Sequence, residues 1–157
     1  MNSAVIYFSK SGTTATIARR ISDKLKIPSE GIIRLGGGGV LAFFGEVAQS
    51  LSGSKPNIQD IKLDITSFDK IIIGSPVWAG RVSSPVTSFL ARYSGAIQSA
   101  AAFITRGSPT NAYTDVFTQI EGMLGKKLEA TYSVASRDVK SGKYDLSAFL
   151  DTIQDAQ

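Results

Sequence analysis

Cysteine and histidine are both absent from this chain of 157 residues, and the two absences remove several kinds of chemistry. Without cysteine there can be no disulfide, no thiolate metal site, no cysteine-ligated iron–sulfur cluster and no cysteine nucleophile. Without histidine the chain lacks the usual general base and the commonest metal ligand. Any redox or transfer chemistry is therefore expected to come mainly from a bound cofactor.

Long apolar runs and blocks of like charge are also lacking. No apolar run approaches the roughly 18 residues that a membrane-spanning helix needs, and the N-terminus lacks a signal-peptide pattern. We therefore expect a cytoplasmic protein with no membrane span. The net charge of +4, from 17 basic and 13 acidic residues, is spread along the chain and predicts no nucleic-acid partner. The length of 157 residues predicts one domain over residues 1–157, and the hydrophobic content of 43% is typical of a globular protein.

Apolar segments alternate with amphipathic segments along the chain. The apolar runs predict five strands, at about 4–8, 32–35, 70–74, 100–105 and within 128–136. Helical spacing predicts helices at about 13–25, 40–51, 84–93, 115–124 and from about 145. This alternation predicts a doubly wound α/β fold, in which a five-stranded parallel sheet carries helices on both faces. The run Gly36 to Gly39 fits a flexible hinge better than a second ligand loop.

The loop after the first strand combines four hydroxyl side chains with one glycine and leads directly into a helix. A helix start offers N–H groups without intrahelical partners and a partial positive charge, which suits a phosphate. Serine and threonine are also favoured there as simple helix caps, but four hydroxyls exceed what capping needs. We therefore predict phosphate binding by Ser9, Lys10, Ser11, Gly12, Thr13 and Thr14.

Two further loops are predicted at the same edge of the sheet. The loop after the third strand holds the only tryptophan, which is suited to stacking on a flat heterocycle but also fits partly buried packing. Its residues are Ser75, Pro76, Val77, Trp78, Ala79, Gly80 and Arg81. The loop after the fourth strand begins Thr105, Arg106, Gly107, Ser108 and extends to Tyr113. Because such sheets bind ligands beyond the carboxyl ends of their strands, we expect one ligand to contact all three loops.

Two stretches of the sequence resemble those of a known family, the flavodoxins. The loop at 9–14 resembles the family's (S/T)-x-(S/T)-G-x-T phosphate loop, and residues 68–78 resemble its third strand and flavin loop. The order of elements matches over nearly the whole chain. The short-chain form is implied, since the fifth strand has no room for the extra loop of long-chain flavodoxins. The resemblance implies the strand order 2-1-3-4-5.

The resemblance also implies a non-covalently bound flavin mononucleotide (FMN). Its phosphate is expected in the loop at 9–14, and its ring between the loops at 75–80 and 105–108, with Trp78 over one face and Tyr113 a candidate for a second wall. No catalytic protein residue and no metal ion are expected. One departure is the basic sequence pI near 9.4, since flavodoxins are usually strongly acidic. The sequence also places Arg81 and Arg106 beside the predicted ring. We expect these cations to favour the anionic reduced flavin and so to raise the flavin potential.

Three functions remain open on the sequence. The favoured one is a low-potential electron carrier that exchanges electrons with redox partner proteins, since the chain offers few catalytic groups. The second is an enzyme that transfers hydride from NAD(P)H through FMN to a quinone or similar acceptor, which the basic charge slightly favours. The third is a binding module of the same fold without flavin.

Overall fold

The computed structural model describes residues 2–36 and 57–155. Within these ranges the strands are β1 (Ser3–Tyr7), β2 (Ser29–Gly31), β3 (Lys70–Trp78), β4 (Arg81–Val82), β5 (Ser99–Arg106) and β6 (Thr131–Ala135). The α-helices are α1 (Thr13–Leu25), α2 (Ser84–Tyr93), α3 (Asp115–Leu124), α4 (Ser136–Ser141) and α5 (Ser147–Asp155). The predicted helix at 40–51 and Gly37 to Gly39 lie outside the described residues.

The sheet has the order β2-β1-β3-β5-β6, and every pair along this path is parallel. When the five parallel strands are numbered without β4, this order is 2-1-3-4-5, which confirms the predicted fold class and strand order. The short strand β4 is an addition, and it pairs antiparallel with the end of β3. The strand order reverses at β1 and β3, so the carboxyl ends of these two strands border the crevice where ligands bind in such sheets.

Alternating side chains of β3 supply two hydrophobic cores, one on each face of the sheet. Ile71 and Ile73 belong to the core that contains residues of α2 and α3, whereas Ile72 belongs to the core that contains residues of α1 and α5. All three isoleucines are fully buried. Burial on both faces explains why the centre of this strand, residues 71–73, is wholly apolar. Among the described residues, no helix has the length and apolar character needed to cross a membrane.

The second strand differs from its prediction. It comprises Ser29–Gly31 and not residues 32–35, because β1 ends at Tyr7, which pairs with Gly31. Beyond Tyr7, β1 has no further residues to pair with the chain after Gly31, and Ile33 is half exposed. Arg34 instead makes an isolated antiparallel bridge with Ile58. The apolar run at 32–35 was a misleading signal, since a short edge strand is held by backbone pairing and needs few apolar side chains.

The third strand does not break at Ser75 and Pro76, as the sequence predicted, but continues to Trp78. Its pairing with β1 ends at Gly74, so the added residues form an edge of the sheet on that side. Proline is tolerated at such an edge because its missing N–H deprives no neighbouring strand of a hydrogen bond. The predicted loop at 75–81 is therefore the end of a strand followed by a tight turn.

Candidate functional site

A cavity of about 200 Å³ lies where the start of α1 meets the carboxyl ends of β3 and β5. Its lining residues are Lys10, Ser11, Thr13, Thr14, Pro76, Val77, Trp78, Thr105, Gly107 and Ser136. All of them except Ser136 belong to the set predicted from sequence, so the structure brings the three predicted segments together. Ser136 was missed, although it follows the last strand at this same edge of the sheet.

The first loop presents the N-terminus of α1 to the cavity. Gly12 precedes the helix in a left-handed conformation, with φ at +92°, which glycine adopts without the steric cost of a side chain. The Ser9 hydroxyl oxygen accepts hydrogen bonds from the N–H groups of Gly12 and Ala15, both at 3.1 Å. By helical geometry, the N–H groups of Thr13 and Thr14 also have no partner within the helix. Ser9 therefore orders the loop, and the two threonines, which line the cavity, have amides without a partner in the helix.

The hydroxyl groups of this loop divide between the cavity and the protein interior. Ser11 Oγ lies 3.3 Å from Thr13 Oγ1, and both residues line the cavity. The Thr14 hydroxyl lies 2.8 Å from the hydroxyl of Thr105, at the end of β5. Lys10 adds a cation to the lining, which contains no carboxylate among the described residues. The first loop therefore offers amides, hydroxyls and positive charge to an anion.

A two-residue turn connects β3 to β4. Trp78 pairs with Arg81, and the turn residues Ala79 and Gly80 have φ angles of +49° and +72°. Two successive left-handed residues are typical of the turn that best fits the twist of a hairpin. Gln119 of α3 fixes the turn, since its side chain donates to the Gly80 carbonyl at 3.3 Å and accepts the N–H of Val82 at 3.1 Å.

Trp78 is only 8% exposed. Its ring meets that of Phe8 edge to face, at 86° and with the ring centroids 5.5 Å apart. Phe8 follows β1, so the contact joins the ends of β1 and β3 beside the cavity. Trp78 also lines the cavity, and its stacking on a flavin ring stays a prediction.

Ser75 is fully buried and faces the start of α2. Its hydroxyl oxygen accepts the N–H of Ser83 at 3.1 Å and lies 2.9 Å from the Ser83 hydroxyl. This pairing fixes the segment that enters α2 against the end of β3. Ser75 is therefore tied to the framework of the site, while the neighbouring Pro76, Val77 and Trp78 line the cavity.

Arg106 contacts its own loop and β6. Its Nη1 donates to the carbonyl oxygen of Ser108, and its Nε donates to the Ser133 hydroxyl at 2.8 Å. The Ser108 hydroxyl accepts the N–H of Asn111 at 3.0 Å, inside the same loop. Arg81, the other cation expected beside the ring, is an exposed residue of β4.

The clear pKa shifts in the described residues concern groups outside the cavity lining. The Lys127 ammonium and the N–H of Leu128 lower the pKa of Glu121. The hydroxyl and N–H of Ser147 lower the pKa of Asp145 at the start of α5. Burial raises the pKa of Tyr132. These shifts accompany helix ends and packing, and none identifies an acid or base at the site.

Several solved structures share this fold at low sequence identity. A flavoprotein from Lactobacillus acidophilus NCFM, solved in complex with FMN, is 20% identical, covers 89% of this chain and 97% of its own, and has a TM-score of 0.69. A flavodoxin from the domain Archaea is 17% identical over 99% of this chain and 98% of its own, with a TM-score of 0.59. A flavodoxin, WrbA-like protein from Agrobacterium tumefaciens is 15% identical over 99% of both chains, with a TM-score of 0.56. No curated protein matches the chain at a significant level.

A sequence model of one family, described as NADPH-dependent FMN reductase, matches residues 1–114. The match spans the loop at 9–14, the end of β3 and the loop after β5, which supply every lining residue of the cavity except Ser136. It confirms FMN as the flavin that the resemblance implied, and it makes the protein an oxidoreductase of the flavodoxin-like type. The chain belongs to the NADPH-dependent FMN reductase family.

Proposed function

We propose that FMN binds in the cavity at the carboxyl edge of the sheet and that the protein uses it to oxidise NADPH. The observation that carries the proposal is that the start of α1 and the ends of β3 and β5 line one cavity. The family match supports NADPH as the electron donor. The sequence alone favoured an electron carrier, and that function remains the second candidate.

The donor groups of the first loop fit the phosphate of FMN. The amides of Thr13 and Thr14 and the hydroxyls of Ser11 and Thr13 can all donate to phosphate oxygens, at a helix end with partial positive charge. Lys10 supplies a full positive charge at the same place. Ser9, whose oxygen already accepts two N–H groups, would act mainly by holding the loop in shape.

The other wall of the cavity fits the less polar part of FMN. Pro76, Val77 and Trp78 present apolar groups, and Gly107 presents backbone with no side chain. At about 200 Å³ the cavity is smaller than the roughly 300–1,000 Å³ typical of sites that enclose a whole small molecule. Part of the bound ligand would therefore remain open to a second reactant, as both a reductase and an electron carrier require.

The residues of the site would bind and orient FMN. Bound FMN supplies the redox chemistry, since it accepts reducing equivalents from a donor and passes them to an acceptor. The lining holds no carboxylate among the described residues, and the chain has no histidine or cysteine. Lys10 in the lining and the exposed Arg81 next to Trp78 would attract the anionic phosphates of NADPH. The lack of a proton-transferring side chain is equally compatible with an electron carrier.

Anaerobic mixing of the FMN-loaded protein with NADPH tests the proposal. We expect the visible absorbance of the flavin to disappear without any partner protein and to return when a quinone is added. Reduction by dithionite but not by NADPH or NADH would overturn the reductase and leave the electron carrier. A protein that fails to take up added FMN would overturn both.

A further inference from the structure

One arginine and one serine hold both ends of the loop that follows β5. Arg106 Nη1 donates to the carbonyl oxygen of Ser108, near the start of the loop, and Arg106 Nε donates to the Ser133 hydroxyl at 2.8 Å. The Ser133 hydroxyl in turn donates to the carbonyl oxygen of Ala112 at 2.6 Å, near the end of the loop. A single guanidinium is therefore connected, directly or through one hydroxyl, to both sides of residues 107–112.

Burial does little to hold this loop. Gly107 and residues 109–112 are exposed, so the loop gains little from apolar packing. Its internal contacts are hydrogen bonds to the Ser108 hydroxyl, from Thr110 at 3.4 Å and Asn111 at 3.0 Å. Exposed loops with few buried contacts open at low free-energy cost. The links made by Arg106 and Ser133 are therefore the main attachment between the loop and the sheet.

The geometry points to Arg106 and Ser133 as positioning residues for the flavin site: together they hold the loop at 107–112 so that Gly107 lines the cavity. The inference rests on the proposed binding of FMN at this cavity. It replaces the expectation that Arg106 acts on the flavin by charge. The guanidinium is directed at neutral oxygens of its own loop and of β6.

Substituting lysine for Arg106 separates an effect of its charge on the flavin from an effect of its hydrogen bonds on the loop. The planar guanidinium reaches Ser108 and Ser133 with two different nitrogens, which the single ammonium of lysine cannot reproduce with the same geometry. Arg106→Lys keeps the positive charge but removes the pair of hydrogen bonds that the guanidinium makes to Ser108 and Ser133. Ser133→Ala keeps the guanidinium and removes the link to Ala112. Ser133→Thr keeps a hydroxyl and suits a strand, and Thr131→Ala is a matched substitution elsewhere in β6.

Two measurements on these variants test the inference. Amide hydrogen exchange of the flavin-free protein reports on the loop alone, and we expect faster exchange at 108–112 in Arg106→Lys and Ser133→Ala, with the sheet unchanged. We expect the same two variants to bind FMN about tenfold more weakly, and riboflavin, which lacks the phosphate, by a similar factor. Ser133→Thr and Thr131→Ala should match the wild type in both measurements.

The inference is overturned if Arg106→Lys binds FMN like the wild type while Arg106→Gln does not, because charge would then be the property that matters. Unchanged exchange at 108–112 in Arg106→Lys and Ser133→Ala would also overturn it. A wild-type protein that binds no flavin would refute the proposed function. The exchange measurement would still decide whether Arg106 and Ser133 hold the loop.

Discussion

The hydroxyl groups of Thr14 and Thr105 lie 2.8 Å apart in the protein interior, although the two residues are 91 positions apart in the sequence. Thr14 belongs to the first turn of α1 and Thr105 to the end of β5. Both residues also line the cavity. The bond therefore ties the proposed phosphate loop to the strand from which the loop at 107–112 departs.

Thr14→Val should destabilise the protein by about 1–3 kcal/mol, because it leaves the Thr105 hydroxyl buried without its partner. Thr105→Val should have a similar effect for the reciprocal reason. The double variant should cost less than the sum of the two single variants, since no polar group is then left behind. Urea denaturation of the four proteins measures this coupling. Strict additivity would show that the two hydroxyls do not depend on each other.

The proposed phosphate loop can be tested by comparing FMN with riboflavin. Ser11→Ala combined with Thr13→Val removes two hydroxyls from the cavity lining but leaves the backbone amides. Hydrogen bonds to a charged partner contribute about 1.5–3 kcal/mol, so FMN affinity should fall at least tenfold. Affinity for riboflavin should hardly change, because riboflavin has no phosphate.

Quenching of flavin fluorescence measures both affinities. Ser141→Ala is the matched control, because its hydroxyl donates to the Asp138 carbonyl and Ser141 is not among the residues that line the cavity. An equal loss of affinity for FMN and riboflavin in the Ser11→Ala, Thr13→Val variant would place the phosphate elsewhere.

The sequence predicted the order of the parallel strands and most of the cavity lining. Both depend on local signals: the apolar run at 71–73 predicts a strand buried on both faces, and the hydroxyl-rich loop at 9–14 directly follows the first strand. Once the alternation of elements implied a parallel sheet, the loops after β1, β3 and β5 had to meet at one edge. The close agreement between predicted residues and cavity follows from topology.

The sequence could not predict contacts that depend on tertiary neighbours. Pro76 indicated the end of a strand, yet β3 continues because β1 has already ended beside it. The sequence did not predict that a hydroxyl on β6 and a carbonyl in its own loop would hold the Arg106 guanidinium, and the effect of Arg106 on the flavin stays a prediction. Helix α4 has only six residues, too few for a periodic pattern to appear.

Gly74→Ala should strongly destabilise the sheet. A Cβ added at Gly74 would lie 2.2 Å from Cζ of Phe103, its direct partner on β5, and Phe103 is fully buried. Neither central strand can move away without disturbing both cores, so we expect a loss of about 2–3 kcal/mol. Adding Phe103→Leu should recover part of that loss by making room for the methyl group. Thermal unfolding measures each variant.

Gly95→Ala is the control for this prediction, because no described residue other than its chain neighbours lies within 4 Å of the position where its Cβ would be added. Its stability should stay within about 0.5 kcal/mol of the wild type. If Gly74→Ala were equally mild, the strands would be able to separate at this point, and the close packing of Phe103 on Gly74 would not limit the sequence.

Lys70 is the fully buried cation at the start of β3, and its two partners predict an unequal response to substitution. Its Nζ lies 2.6 Å from Glu129 Oε2 and donates to the Ile153 carbonyl, in the last turn of α5, at 3.1 Å. The Lys70 side chain is 0% exposed and that of Glu129 is 33% exposed. Glu129→Gln leaves a buried positive charge without its counterion and should cost about 3 kcal/mol.

Lys70→Met should cost less, because Glu129 remains partly hydrated when its partner is removed and the methionine fills most of the vacated volume. Urea denaturation should therefore rank Glu129→Gln as the less stable of the two variants. The reverse ranking would mean that the bond from Lys70 to the end of α5 matters more than the ion pair. The double variant tests whether the unpaired Lys70 charge causes the instability of Glu129→Gln. If it does, adding Lys70→Met should restore most of the stability that Glu129→Gln loses.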